Sequence, residues 1–152
     1  MEAAQVEAGA LATIGRRFVA RLIDALIVAL PASLALWPYI DADEGTIDGP
    51  LWLVYLLGLV VPAMYEIVFI AWRGQTVGKV IMSVRVVQLD GGEVPSASQS
   101  AIRALLPLAV LNLPLPPIST LAGMAIYLWA FTSPLRQGLH DRAAGTVVVS
   151  TS

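Results

Sequence analysis

The chain has 152 residues, 57% of them hydrophobic and 13% charged, about half the charged share of an average soluble domain. That leaves too little polar surface for a water-soluble particle, and the apolar residues fall in blocks long enough to cross a hydrocarbon layer of roughly 30 Å. The net charge of −2 excludes the basic face that a nucleic-acid binder needs, and the absence of cysteine excludes disulfides, thiolate metal sites and thiol catalysis.

The expected fold is an all-α membrane protein forming a single domain over residues 1–152: two full transmembrane helices, a proline-broken helical hairpin and a small cytoplasmic β element. Residues 1–15 are mostly small and polar and read as a flexible tail. Residues 18–38 supply about 20 apolar positions, enough at 1.5 Å per residue for a first span. A secretory leader is the competing reading of Arg16-Arg17 and the apolar run, but Arg21 and Asp24 interrupt what should be an uncharged core. Asp41, Asp43, Glu44 and Asp48 then form an acidic loop without Lys or Arg. A calcium loop is disfavoured there, because the glycine falls one place early and Trp52 occupies the position of the bidentate glutamate.

Residues 51–72 form the second span. Arg16, Arg17 and Arg21 flank the start of the first span, whereas Arg73, Lys79, Arg85 and Arg103 follow the second, so the N-terminus and central loop are expected in the cytoplasm. Ser83–Leu89 alternates in the strand period and is followed by Asp90-Gly91-Gly92, which points to a cytoplasmic hairpin over 83–95; residues 145–150 read as a C-terminal strand that could pair with it. Residues 101–131 are apolar but divided by Asn112-Leu113-Pro114-Leu115-Pro116-Pro117. Cations on both flanks favour a hairpin returning to the cytoplasm, as two short spans or a re-entrant pair; the alternative is one tilted crossing.

Arg17, Arg21 and Asp24 share one stripe of the first helix, with Arg21 and Asp24 three residues apart and close enough to pair, and the spacing leaves open which arginine partners Asp24. Asp24 lies about six residues inside the first span and Glu66 about six inside the second, each roughly 9 Å deep. Two carboxylates at one depth suit a shared proton or small cation; the bland alternative is that they neutralise Arg17 and Arg21 and lock the helices together. Small residues Ala25, Ala29 and Ser33, and Gly58 and Pro62 before Glu66, allow close helix approach. Gly74-Gln75-Thr76-Val77-Gly78-Lys79 fails as a phosphate loop in spacing and in Val80, and reads as a turn with a lysine anchored at the membrane surface. His140, the sole histidine, has neither partner ligands for a metal nor a serine or cysteine for a triad, so neither cofactor, metal nor enzymatic activity is expected.

Three pieces in order resemble the RDD family, named for one arginine and two aspartates: Arg16-Arg17-Phe18-Val19-Ala20-Arg21-Leu22-Ile23-Asp24, Arg73-Gly74-Gln75-Thr76-Val77-Gly78-Lys79, and Gly138-Leu139-His140-Asp141-Arg142 running on to Gly145 and Val147–Val149. The resemblance implies that the arginine is Arg16 or Arg17 and the aspartates Asp24 and Asp141, with Arg21 departing from the usual pattern. It also implies a bacterial, multi-pass protein of the cytoplasmic (inner) membrane, for which the positions of the cations lead to both termini being expected in the cytoplasm. Two functions remain. One is a cation/proton-coupled transport component with Asp24 and Glu66 exchanging and Arg17, Arg21 and Asp141 as a cytoplasmic gate; the other is a non-catalytic accessory or structural subunit. Either expects a homo-oligomer or a larger membrane complex as the working form, with the lipid bilayer as surroundings.

Overall fold

The computed structural model describes residues 11–111, 115 and 117–151. Helix α1 (Ile14–Leu36) starts four residues before the expected position because Thr13 caps it, its Oγ1 accepting from the Arg16 N–H at 3.3 Å. It runs through Pro31 and ends in a 3₁₀ turn, Trp37–Tyr39. A tight hairpin, β1 (Ile40–Asp41) with β2 (Thr46–Ile47), closes the acidic loop, and the Asp41 carboxylate accepts from the N–H groups of Asp43 and Glu44. Helices α2 (Leu51–Tyr55) and α3 (Val61–Arg73) are joined without a break by a π turn, Leu56–Val60, just before Pro62, whose missing N–H cannot bond the preceding turn. Ile14–Tyr39 and Leu51–Arg73 are therefore two helices long and apolar enough to cross a membrane.

The remaining elements gather at one end of this pair. Gly74, in the left-handed conformation at φ 69°, terminates α3 and turns the chain into the short helix α4 (Val77–Ile81), which lies against α1. Strand β3 (Val84–Gln88) pairs antiparallel with β4 (Thr146–Ser150), five residues in register from Val84↔Ser150 to Gln88↔Thr146. Helix α5 (Ala97–Leu111) packs on α3, α6 (Ile118–Leu128) returns beside α5, and α7 (Leu139–Ala143) leads into β4. Asn112, Leu113, Pro114 and Pro116 of the expected break lie outside the described residues; Leu115 and Pro117 separate α5 from α6.

Two expectations are corrected. The 83–95 hairpin does not form: Gly91 and Gly92 do take positive φ, but the one backbone bond across is from the Gln88 N–H to the Glu93 carbonyl, beside a side-chain bond from Gln88 Nε2 to the Val94 carbonyl, and Pro95 has no N–H with which to extend a ladder. The free tail through residue 15 also fails, since Leu11 bridges to Val149, Ala12 donates to the Val148 carbonyl and both are buried; residues 1–10 lie outside the described residues.

The main apolar core sits where the sheet meets α1 and α3: Ala12, Ala20, Ile70, Val84, Val86 and Val148. Burying a valine or isoleucine contributes about 1.5–3 kcal/mol, so this cluster anchors the sheet to the helix pair. Beyond it the helices turn their apolar side chains outward, and Leu22, Leu26, Leu30 and Leu34 form an exposed stripe along α1.

Candidate functional site

Where α1, α3, α4, α5 and α7 converge, seven charged side chains meet. Gly78 makes the first contact possible. A Cβ there would overlap the Ala20 carbonyl oxygen and stand 2.9 Å from the Asp24 carboxyl group, so only glycine lets α4 lie directly on α1. Asp24 is thereby surrounded: its Oδ1 accepts from the Gly78 N–H and the Tyr65 hydroxyl, both at 2.8 Å, and its Oδ2 accepts from the Thr76 hydroxyl at 2.5 Å. The Lys79 ammonium stands 3.8 Å from Oδ2 and donates to Thr76 Oγ1 at 3.2 Å.

Glu66, on α3, accepts from Arg21 Nη1 at 2.6 Å and has Arg103 Nε 3.8 Å from its Oε1. Arg21 continues to the Tyr127 hydroxyl at 2.9 Å and lies over that ring at 5.6 Å, a cation–π contact. Asp141 is fully buried at the start of α7, where it accepts from the Gly138 N–H at 3.1 Å and from Arg17 and Arg103. Arg17 also donates to the Arg136 carbonyl, and Arg103 to Thr146 Oγ1 at 3.3 Å, so β4 and its approach are tied to α1 and α5 through one carboxylate.

Four cations, Arg17, Arg21, Lys79 and Arg103, thus face three carboxylates, Asp24, Glu66 and Asp141, an excess of one positive charge within the cluster. Burial lowers the Lys79 ammonium to about 8, the pull of Glu66 and Asp24 notwithstanding, with Arg103 and Arg21 adding to the decrease. Burial likewise lowers His140 to about 4 against the attraction of Asp141, so the imidazole, 3.4 Å from that carboxylate, is neutral at pH 7 and adds no charge. For Asp141, burial pushes upward but the charges of Arg103 and Arg17 and the Gly138 N–H outweigh it, holding the carboxyl well below its usual range.

Neither of the two arginines on the Asp24 stripe pairs with it: Arg21 bonds Glu66 across to the second helix, Arg17 bonds Asp141, and Asp24 turns to α4. Asp24 and Glu66 do not share a partner hydrogen-bonded to both, although they line one cavity of about 370 Å³ that extends past Ser33 and Pro62. Arg16 stands at the edge of the cluster, donating to Ser150 Oγ at 3.1 Å. The lysine expected at the membrane surface is buried instead, 6% exposed. Sequence reasoning also missed Tyr65, Thr76, Arg103 and Tyr127 as participants. For Arg103 a signal existed, since three intramembrane or near-membrane acids demand cations and it lies nearly two turns inside an apolar helix.

The model of the RDD family matches residues 11–145. The chain belongs to the RDD family. No curated protein and no solved structure matches it. Of the two arginines that resemble the RDD arginine, Arg17 is the one bonded to Asp141, the second of the two aspartates, while Asp24, the first, is held by the Thr76-Val77-Gly78-Lys79 segment. The three pieces that resemble the RDD pattern, far apart in the chain, therefore meet in a single charge cluster.

Proposed function

We propose that this RDD protein is a multi-pass protein of the cytoplasmic membrane in which the buried charges are architectural, and that it serves as a non-catalytic accessory or structural subunit of a larger membrane assembly. The membrane placement is supported by charge: all nine Lys and Arg residues belong to segments at the end of the helix pair that carries the β3–β4 sheet, whereas the loop at the other end carries Asp41, Asp43, Glu44 and Asp48. By the positive-inside rule the sheet end is cytoplasmic, and with it both termini. Exposed tryptophans mark two levels, Trp37 and Trp52 at the acidic end and Trp72 and Trp129 at the cationic end. Trp52 and Trp72 are separated by about 30 Å of helix, the thickness of the hydrocarbon layer. α5 and α6, with 15 and 11 residues, reach only about 22 and 17 Å, which favours a re-entrant hairpin dipping from the cytoplasmic side.

The accessory role rests on one observation: each carboxylate of the cluster already has its cation and hydrogen-bond donors, and the cluster carries surplus positive charge. A free cation entering there would meet only carboxylates already neutralised by fixed cations. Native purification from mild detergent tests the reading, with a stoichiometric larger partner as the expected result and a lone homo-oligomer as the refuting one. The second reading, cation/proton-coupled transport, is favoured by the cavity that Asp24 and Glu66 share. It requires cation-driven proton flux in vesicles containing the purified chain, lost in Asp24→Asn and Glu66→Gln; on the architectural reading the wild-type chain gives no flux above empty vesicles.

A further inference from the structure

The surplus charge has a place to be met. A second cavity, of about 800 Å³, opens between the start of α1 and the end of α6. Its inner wall carries all four cations of the cluster, Arg17, Arg21, Lys79 and Arg103, but none of the three carboxylates. Among the described residues Arg103 Nε is buried and makes no hydrogen bond, Glu66 Oε1 being too far at 3.8 Å. A buried donor without an acceptor costs about 1–3 kcal/mol, more when it is charged. The first turn of α1, where the Thr13 side chain caps the Arg16 N–H and the Ile14 and Gly15 N–H groups precede the first intrahelical bond, stands at the mouth through Ile14 and Gly15 and contains no acidic residue. Outward the wall becomes apolar: Phe18, Met124, Leu128 and Phe131, between 52% and 68% exposed.

We infer that this cavity holds one anionic phospholipid of the surrounding cytoplasmic leaflet, its phosphate against Arg103 and the α1 N-terminus and its acyl chains along Phe18, Met124, Leu128 and Phe131. The grading from cations to exposed apolar side chains selects a lipid over free phosphate, which has no use for the apolar half. A monoanionic headgroup also matches the single surplus charge of the cluster. The inference uses the membrane placement proposed above and not the accessory role, so a negative partner search leaves it intact.

Gly15 allows a test that spares the ion pairs. A Cβ there meets nothing within 4 Å, and an acid in the first turn favours the helix, so Gly15→Asp folds while placing a negative charge at the mouth. Chain purified from the membrane fraction and delipidated in neutral detergent is offered equal phosphatidylglycerol and phosphatidylcholine with identical chains, and the lipids retained are counted by native mass spectrometry. One phosphatidylglycerol per chain is expected, preferred about five-fold or more, the effect of roughly one unit charge near a headgroup. Gly15→Asp should lose the preference and the neutral Gly15→Asn should keep it. Equal retention of both lipids by the wild type, or an undiminished preference in Gly15→Asp, overturns the inference. Displacement of the lipid by millimolar inorganic phosphate overturns the choice of a lipid occupant. Recovery of the chain in the soluble fraction would remove the membrane placement and the lipid site with it.

Discussion

Replacing Asp141 by Asn tests whether the charge cluster holds the molecule together. Asp141 is fully buried and is the shared acceptor of Arg17, Arg103 and the Gly138 N–H. Asparagine keeps the shape but turns an NH₂ group toward donors and leaves two guanidinium groups without their common counter-ion. Breaking a buried ion pair from one side costs about 3–5 kcal/mol. For a chain of this length that corresponds to a melting point lower by roughly 6–20 °C. The assay is a thermal melt in detergent at pH 7, with Asp43→Asn in the exposed acidic loop as control, expected to shift stability by no more than about 0.5 kcal/mol. The pH dependence supplies a second check. Because the folded state holds the Asp141 carboxyl below its ordinary value of 3.8, its contribution is complete above that value and is lost as the pH falls toward the lower folded value. The gap between wild type and Asp141→Asn should therefore be full at pH 7 and narrow below pH 3.8. A variant melting within about 2 °C of wild type at pH 7 would refute the structural role of the cluster.

Three further outcomes follow from the same geometry. His140 is lowered from 6.5 to about 4, so the unfolded chain binds a proton first and stability should fall by about 3 kcal/mol as the pH drops through that interval; His140→Leu should flatten this acid limb, read by melts between pH 7 and 4. Lys79, lowered from 10.5 to about 8, works in the same sense at higher pH: the folded state sheds its proton first as the pH rises, so the penalty of burying the ammonium is relieved and stability rises between pH 8 and 10.5, a rise that melts of wild type against Lys79→Met should resolve. Gly78→Ala should destabilise by about 1–3 kcal/mol, because the added methyl meets the Ala20 backbone oxygen and the Asp24 carboxyl group and neither is a flexible chain end; limited proteolysis of the segment around α4 would report the loosened contact.

The architecture explains why an RDD chain this small can carry charges in a lipid setting. Each of the three carboxylates joins elements that are remote in sequence: Asp24 joins α1 to α4, Glu66 joins α3 to α1 and α5, and Asp141 joins α7 to α1 and α5. Such pairs add little net stability over an apolar core of the same shape, but a misplaced partner leaves a charge stranded, so they select one arrangement.

Composition and periodicity alone determined the two apolar spans, the cations confined to one end and the acids that must be buried, because each of these depends on local runs of residues against a fixed membrane thickness. The same reading correctly marked Thr146–Ser150 as a strand from its β-branched run. Partners were decided only by the tertiary structure. Spacing on one helix allows Arg21 with Asp24, but the Arg21 head group reaches Glu66 on the neighbouring helix, and Asp24 is claimed by a Gly78 N–H that lies 54 positions away. Lys79 looks like a surface anchor until that contact, possible only where a glycine lacks its Cβ, carries it beneath α1. Strand β3 ignores its own Asp90-Gly91 turn because the distant β4 offers five paired residues where the local chain offers one backbone hydrogen bond and a proline. Ion pairs and strand ladders are formed by whichever groups the folded backbone brings within about 3 Å, and that distance is not a property of sequence order.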